Sequence, residues 1–204
     1  MQTGPHSRVR RVLLLAAAGL LGMALTACTA RGGGQLPPDN VVFKGAASLG
    51  FSFSCQDSGG LNPPTGRLHI ELAYGDKGTN PLGGAFEVHG IVDEVDPVLE
   101  SEICIGQNPP PGGNELMFLG RYSLTSSSAP AGFPATCQTH QNTTEPTCRF
   151  EVIVRDNDTN RVPSKGDYFH IALSSATAVS SQLEPTTVFY TRGGLLSSGN
   201  LTVD

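Results

Sequence analysis

From residue 41 onward, apolar and polar side chains alternate in short runs. Leu49, Phe51 and Phe53 are separated by small residues as far as Cys55. Across residues 67–74, Leu68, Ile70 and Leu72 alternate with Arg67, His69 and Glu71. Phe86, Val88 and Val92 continue the rhythm, with Gly90 between them. Further runs follow at 116–122, 150–154, 169–173, 188–190 and 201–203. A period of two, bounded by glycine and proline, is the signature of half-buried strands. Apart from one possible turn within residues 94–103, nothing after residue 40 carries a helical stripe. Many short strands with regular turns predict an all-β domain over residues 41–204, an antiparallel β-sandwich of immunoglobulin-like or jelly-roll-like type.

Three stretches break the rhythm. Residues 106–114, containing Pro109-Pro110-Pro111-Gly112-Gly113, read as an irregular loop, and the polar residues 125–147 read as a second. Loops this long in a compact domain tend to be functional or disordered, which makes both candidates for recognition. The third stretch, residues 28–40, contains Arg31-Gly32-Gly33-Gly34 and Pro37-Pro38 without apolar periodicity, and reads as a flexible tether.

Ahead of it stands a different texture. Arg8, Arg10 and Arg11 precede an apolar run from Val12 to Leu25, then Leu25-Thr26-Ala27-Cys28. A basic segment, a short apolar run and small residues before a cut describe an export signal over residues 1–27. The run is too short to span a bilayer comfortably, which takes about 20 residues. Leu-Thr-Ala-Cys resembles the lipobox of bacterial lipoproteins. That resemblance implies diacylation of the Cys28 thiol, cleavage before it and acylation of the freed amine. Several acyl chains on one cysteine suffice for stable anchoring, which takes two membrane signals. Thr29 stands where an aspartate would signal inner-membrane retention. The expected location is therefore the cell envelope, at the outer membrane or cell surface.

Export also sets the cysteine chemistry. Beyond Cys28 the chain holds Cys55, Cys104, Cys137 and Cys148, an even number in a compartment where disulfides persist. Three pairings are open. Cys137–Cys148 closes a short loop and is favoured, with Cys55–Cys104 by elimination. No C-x-x-C spacing argues for a thiol redox centre or a zinc ribbon. Once residues 1–27 are removed with their three arginines, 10 basic residues face 18 acidic ones. That balance argues against nucleic acid and against electrostatic adhesion to anionic lipid. Membrane contact is left to the acyl chains.

Four motifs carry a second resemblance. They are Gly45-Ala46-Ala47-Ser48-Leu49-Gly50-Phe51, Gly66-Arg67-Leu68-His69-Ile70, and Asp156 with Gly166-Asp167-Tyr168-Phe169-His170-Ile171. The fourth is the glycine-rich stretch from Tyr190 to Val203. In this order they resemble the post-COAP type of bacterial extracellular β-domain. The resemblance implies a non-catalytic exported module of unassigned function. Besides the membrane, the expected partner is an extracellular or periplasmic protein or glycan. The four domain cysteines and the two long loops depart from that pattern.

Candidate chemistry is sparse. His69, His89 and His170 form the sharpest set, since three imidazoles on one sheet face would suit zinc or copper. They lack any H-x-H or H-x-x-x-H spacing, so a metal-binding protein or metal-dependent enzyme is the alternative reading. Residues 156–160 cluster hard oxygens, but the register of a calcium loop is broken and a turn is expected. No G-x-S-x-G elbow, phosphate loop or dinucleotide fingerprint occurs. The acid pairs Asp93-Glu94 and Glu100…Glu102 lack a tryptophan platform for sugars. Asn142, Asn157 and Asn200 begin N-glycosylation triplets that read as chance in polar turns. The expectation is a module without catalysis or cofactor.

Overall fold

A computed structural model describes residues 27–56, 67–91, 114–125, 129–140, 145–157, 166–178 and 183–203. These residues form nine strands: β1 (Ala27–Leu36), β2 (Ala47–Gln56), β3 (Arg67–Asp76), β4 (Phe86–Ile91), β5 (Glu115–Leu124), β6 (Arg149–Arg155), β7 (Tyr168–Ser174), β8 (Val188–Leu195) and β9 (Ser198–Val203). All pair antiparallel in one sheet, in the order β8-β7-β6-β5-β4-β3-β2-β1-β9. The all-β antiparallel class is as expected. The nine strands form a single sheet that curls into a half-barrel. Period-two alternation says which side of a strand is buried. It does not say whether another sheet or the same sheet buries it.

The inward side carries the alternating set. Phe51 and Phe53 of β2, Ile70, Leu72 and Tyr74 of β3, Phe118 of β5 and Phe169 of β7 are all buried. The Phe118 ring lies 5.6 Å from Phe51, 5.4 Å from Phe53 and 6.2 Å from Phe150, centroid to centroid. Small residues make room for these rings. A Cβ on Gly90 would stand 2.5 Å from Phe150 Cε1, and one on Gly120 would stand 2.7 Å from it. Neither position admits a side chain while Phe150 lies there.

β1 corrects a prediction. Residues 27–36 are not a free tether but an inner strand, laddered to β2 along ten consecutive residue pairs and to β9 along six. Ala30 and Leu36 are buried. Three glycines hid this strand from the hydrophobic pattern, and they are what lets its neighbours come close. A Cβ on Gly34 would collide with the carbonyl oxygen of Ser198. Across the same ladder Gly199 adopts φ +107°, which glycine tolerates and side chains resist.

The chain closes the curl at its end. β8 stops at Leu195 beside β7, and β9 starts three residues later beside β1 at the far edge of the sheet. The corner is pinned from both sides. Leu196 N–H donates to the Asp167 carbonyl at 2.9 Å, and Ser197 N–H donates to the Gln35 carbonyl at 2.8 Å. The buried Asp167 carboxylate also accepts from Leu201 N–H at 2.8 Å and from Asn157 N–H at 3.2 Å. One acid thus ties the turn after β6 to the last strand.

Candidate functional site

Three features of the half-barrel are candidates for function: a buried polar seam, a disulfide-held flap and an outer-face trough.

The seam lies where β8 comes back toward β3. Alternation points Asp76 and Arg192 inward, two residues after Tyr74 and Tyr190. Tyr74 and Tyr190 share a hydrogen bond of 2.6 Å between hydroxyls, and Tyr190 donates to Asp76 Oδ2 at 2.8 Å. Arg192 Nη1 stands 2.8 Å from the same oxygen, with both side chains almost wholly buried. Nη2 of Arg192 donates to the carbonyls of Pro37 and Gly45 at 2.9 and 2.8 Å. The guanidinium lies 4.5 Å from the Phe43 ring centroid, within cation–π range. Burial pushes the Tyr74 and Tyr190 hydroxyls far above the usual phenol range. Burial also draws the Arg192 guanidinium down, but the hydrogen bond and charge of Asp76 outweigh this and hold it above its ordinary value. This buried network is a clasp holding β3, β8 and residues 37–45 together.

The flap is the described part of residues 125–147. Phe133 is buried there, its ring 5.7 Å from Phe86, 6.2 Å from Tyr122 and 5.2 Å from Phe189. Gly132 N–H donates to the Leu82 carbonyl at 2.9 Å, and Leu124 N–H donates to the Thr139 carbonyl at 2.7 Å. The favoured Cys137–Cys148 disulfide is present, with Cα atoms 5.3 Å apart. The described part of this irregular loop therefore packs down around one phenylalanine.

The trough lies on the outer face over β2, β3 and β4, with a volume of about 390 Å³. Ser48, Gly50, Ala73 and Gly75 form its floor, and Glu87, His89 and Thr125 stand along it. A second hollow of about 310 Å³ adjoins it past Gly50 and Ala73 and adds Ser52 and Glu71. A Cβ on Gly50 would meet nothing within 4 Å, so the floor is open there.

The three histidines do share the outer face, as alternation implied, but not one place on it. His89 pairs with Ala73 of β3, four residues beyond His69, or roughly 13 Å along the strand. His170 lies on β7, three ladders from β4, or roughly 14 Å across the sheet. Burial depresses the His170 imidazole, partly opposed by Glu151. Among the described residues no group of three His, Cys, Asp or Glu is placed to hold an ion. Asp156 and Asn157 directly follow β6, where Asn114 Nδ2 donates to the Asp156 carbonyl at 2.7 Å, and residues 158–160 lie outside the described residues.

The residues before Ala27, Cys104, residues 106–113 of the proline-rich loop and the acids Asp93, Glu94, Glu100 and Glu102 lie outside the described residues. The register places Cys28 opposite Cys55 on β1 and β2.

No family model, curated protein or solved structure matches the chain. The likeness to the post-COAP module rests on its four short motifs alone. No sequence motif marks the clasp, though its residues carry a signal. Asp76 and Arg192 occupy inward phases of their strands, and a charge there needs a buried partner.

Proposed function

We propose that the chain is an exported lipoprotein, anchored through Cys28, whose half-barrel serves as a binding or structural module rather than an enzyme. The observation that carries the anchor is the run from Arg8 to Cys28, with its basic start, short apolar stretch and Leu-Thr-Ala-Cys. The order of the four post-COAP-like motifs supports the module. A sandwich relationship with that type of domain belongs to the same reading.

The anchor carries a geometric consequence. With β1 starting at Ala27, the lipid would be attached where the sheet begins, leaving almost no tether. The half-barrel would stand directly on the membrane, with the β1, β2 and β3 ends near Cys28, Gln56 and Arg67 facing it. Recognition of an envelope protein or glycan would fall to surfaces away from that end. The outer trough with Glu71, Glu87 and His89 is the recessed candidate among the described residues.

Metabolic labelling with radioactive palmitate tests the anchor. Wild-type protein is expected to take up label, and Cys28→Ser to take up none and accumulate as precursor. Label on the Cys28→Ser protein would overturn the reading.

A further inference from the structure

Cys28 and Cys55 are direct partners in the β1–β2 ladder. The pairing is part of ten consecutive pairs without a shift, running through Ala30↔Phe53 and Gly33↔Gly50 to Leu36↔Ala47. The ladder thus sets the backbones of the two cysteines opposite one another. Directly opposed antiparallel residues have Cα atoms about 4.5 or 5.5 Å apart, depending on the hydrogen-bonding pattern. Both values fall within the roughly 4.4–6.8 Å that a disulfide spans. On the other side of β1 the described register with β9 begins at Ala30. Cys55 faces Leu68 on β3. Cys137 and Cys148 are already bonded to each other.

We infer that Cys28 and Cys55 form a cross-strand disulfide whenever the chain is exported without acylation, so that lipid and disulfide compete for one sulfur. The inference rests on export, which is part of the function proposed above, but not on the acyl chains. Acylation replaces the thiol hydrogen of Cys28 with carbon in a thioether and leaves no thiol to oxidise. An unmodified Cys28 keeps it. A disulfide oxidant of the export compartment, R–S–S–R, then accepts the two electrons. One cysteine thiolate attacks it, releasing R–SH and forming a mixed disulfide. The second cysteine displaces the other R–SH, and two thiol protons end on the two leaving thiols. Cys104 becomes the unpaired thiol in that form, in place of the Cys55–Cys104 pair expected from counting. The bond would staple the first hairpin of the sheet, locking β1 in register in a molecule that no membrane holds.

Two forms of the full mature chain distinguish the outcomes. One is exported behind its own residues 1–27, the other behind an ordinary cleavable signal without a lipobox. Thiols are alkylated at lysis and peptides mapped by mass without reduction. In the second form the Cys28 and Cys55 peptides are expected as one linked species, two hydrogens lighter than their sum, with Cys104 alkylated. The link should persist in Cys104→Ser and be lost on reduction. Alkylated Cys28, or a Cys55–Cys104 link beside it, would overturn the inference. The first form tests the anchor separately. Acyl mass on Cys28 upholds it, whereas a Cys28–Cys55 link there sinks the lipoprotein and leaves the disulfide standing.

Discussion

Phe118 and Arg192 are both buried, one among rings and the other against a carboxylate. Around Phe118 the contacts with Phe51, Phe53 and Phe150 are apolar, and each ring gains by leaving water whichever neighbour it meets. Around Arg192 the gain is conditional. Its charge is tolerated there because Asp76, two carbonyl oxygens and the Phe43 ring replace water together. The interior therefore has a forgiving part, which fills the half-barrel, and an unforgiving part, which clasps β8 to β3.

That contrast can be broken at either end. Phe118→Ala and Arg192→Ala should each cost about 3–5 kcal/mol in chemical denaturation, the first by leaving a cavity and the second by stranding Asp76. The double variant Asp76→Leu/Arg192→Met separates them. It should recover most of the stability lost in Arg192→Ala, because it removes both buried charges together. A double variant no more stable than Arg192→Ala would mean that the clasp is not a coupled unit.

Removing the disulfide should have a smaller effect. Cys137→Ser/Cys148→Ser is expected to cost about 2–4 kcal/mol, chiefly by freeing the unfolded chain. Hydrogen exchange should quicken first at Phe133 in the flap and at Leu124, whose N–H bonds the flap's Thr139, while β6 and β7 stay protected. Faster exchange through β6 instead would show that the bridge supports the sheet rather than the flap. Gly90→Ala should cost about 1–3 kcal/mol, since Phe150 must shift. Gly90→Ala/Phe150→Leu should relieve part of this, and failure to do so would place the strain elsewhere.

The smallest expected effect is a pH dependence at His170. Burial lowers its folded-state value, while the unfolded imidazole keeps its ordinary value of about 6.5. The unfolded chain therefore takes up the proton first. This contribution is complete above about pH 6.5 and declines as pH falls below it. His170→Gln should flatten the stability slope between about pH 7 and 5. An unchanged slope would assign it to other groups.

Much of the strand content was legible beforehand. Phe51, Phe53, Ile70, Leu72, Phe86, Val88, Phe118, Phe150, Phe169 and Ile171 all stand on the inner side that their alternation assigned. Burial on a pleated strand repeats every second residue, so no knowledge of neighbours is needed. The Cys137–Cys148 pair was legible for a similar reason, since short loops close readily. β1 was not legible. Its glycines carry no apolar phase, and only the closeness of Leu49 and Ser198 on either side explains them.

The sequence by itself determined the faces of most strands, the acidic balance, the export-like start and the short disulfide. Each of these depends on residues near one another in the chain or on composition alone. Only the tertiary structure decided that the strands join in one curled sheet, that Phe133 is drawn under a flap, and that His69, His89 and His170 stand apart. The clasp is the clearest case. Tyr190 meets Tyr74 across 116 positions, and Arg192 reaches Pro37 across 155. Contacts of such span follow from how the whole sheet closes, and no local pattern encodes that closure.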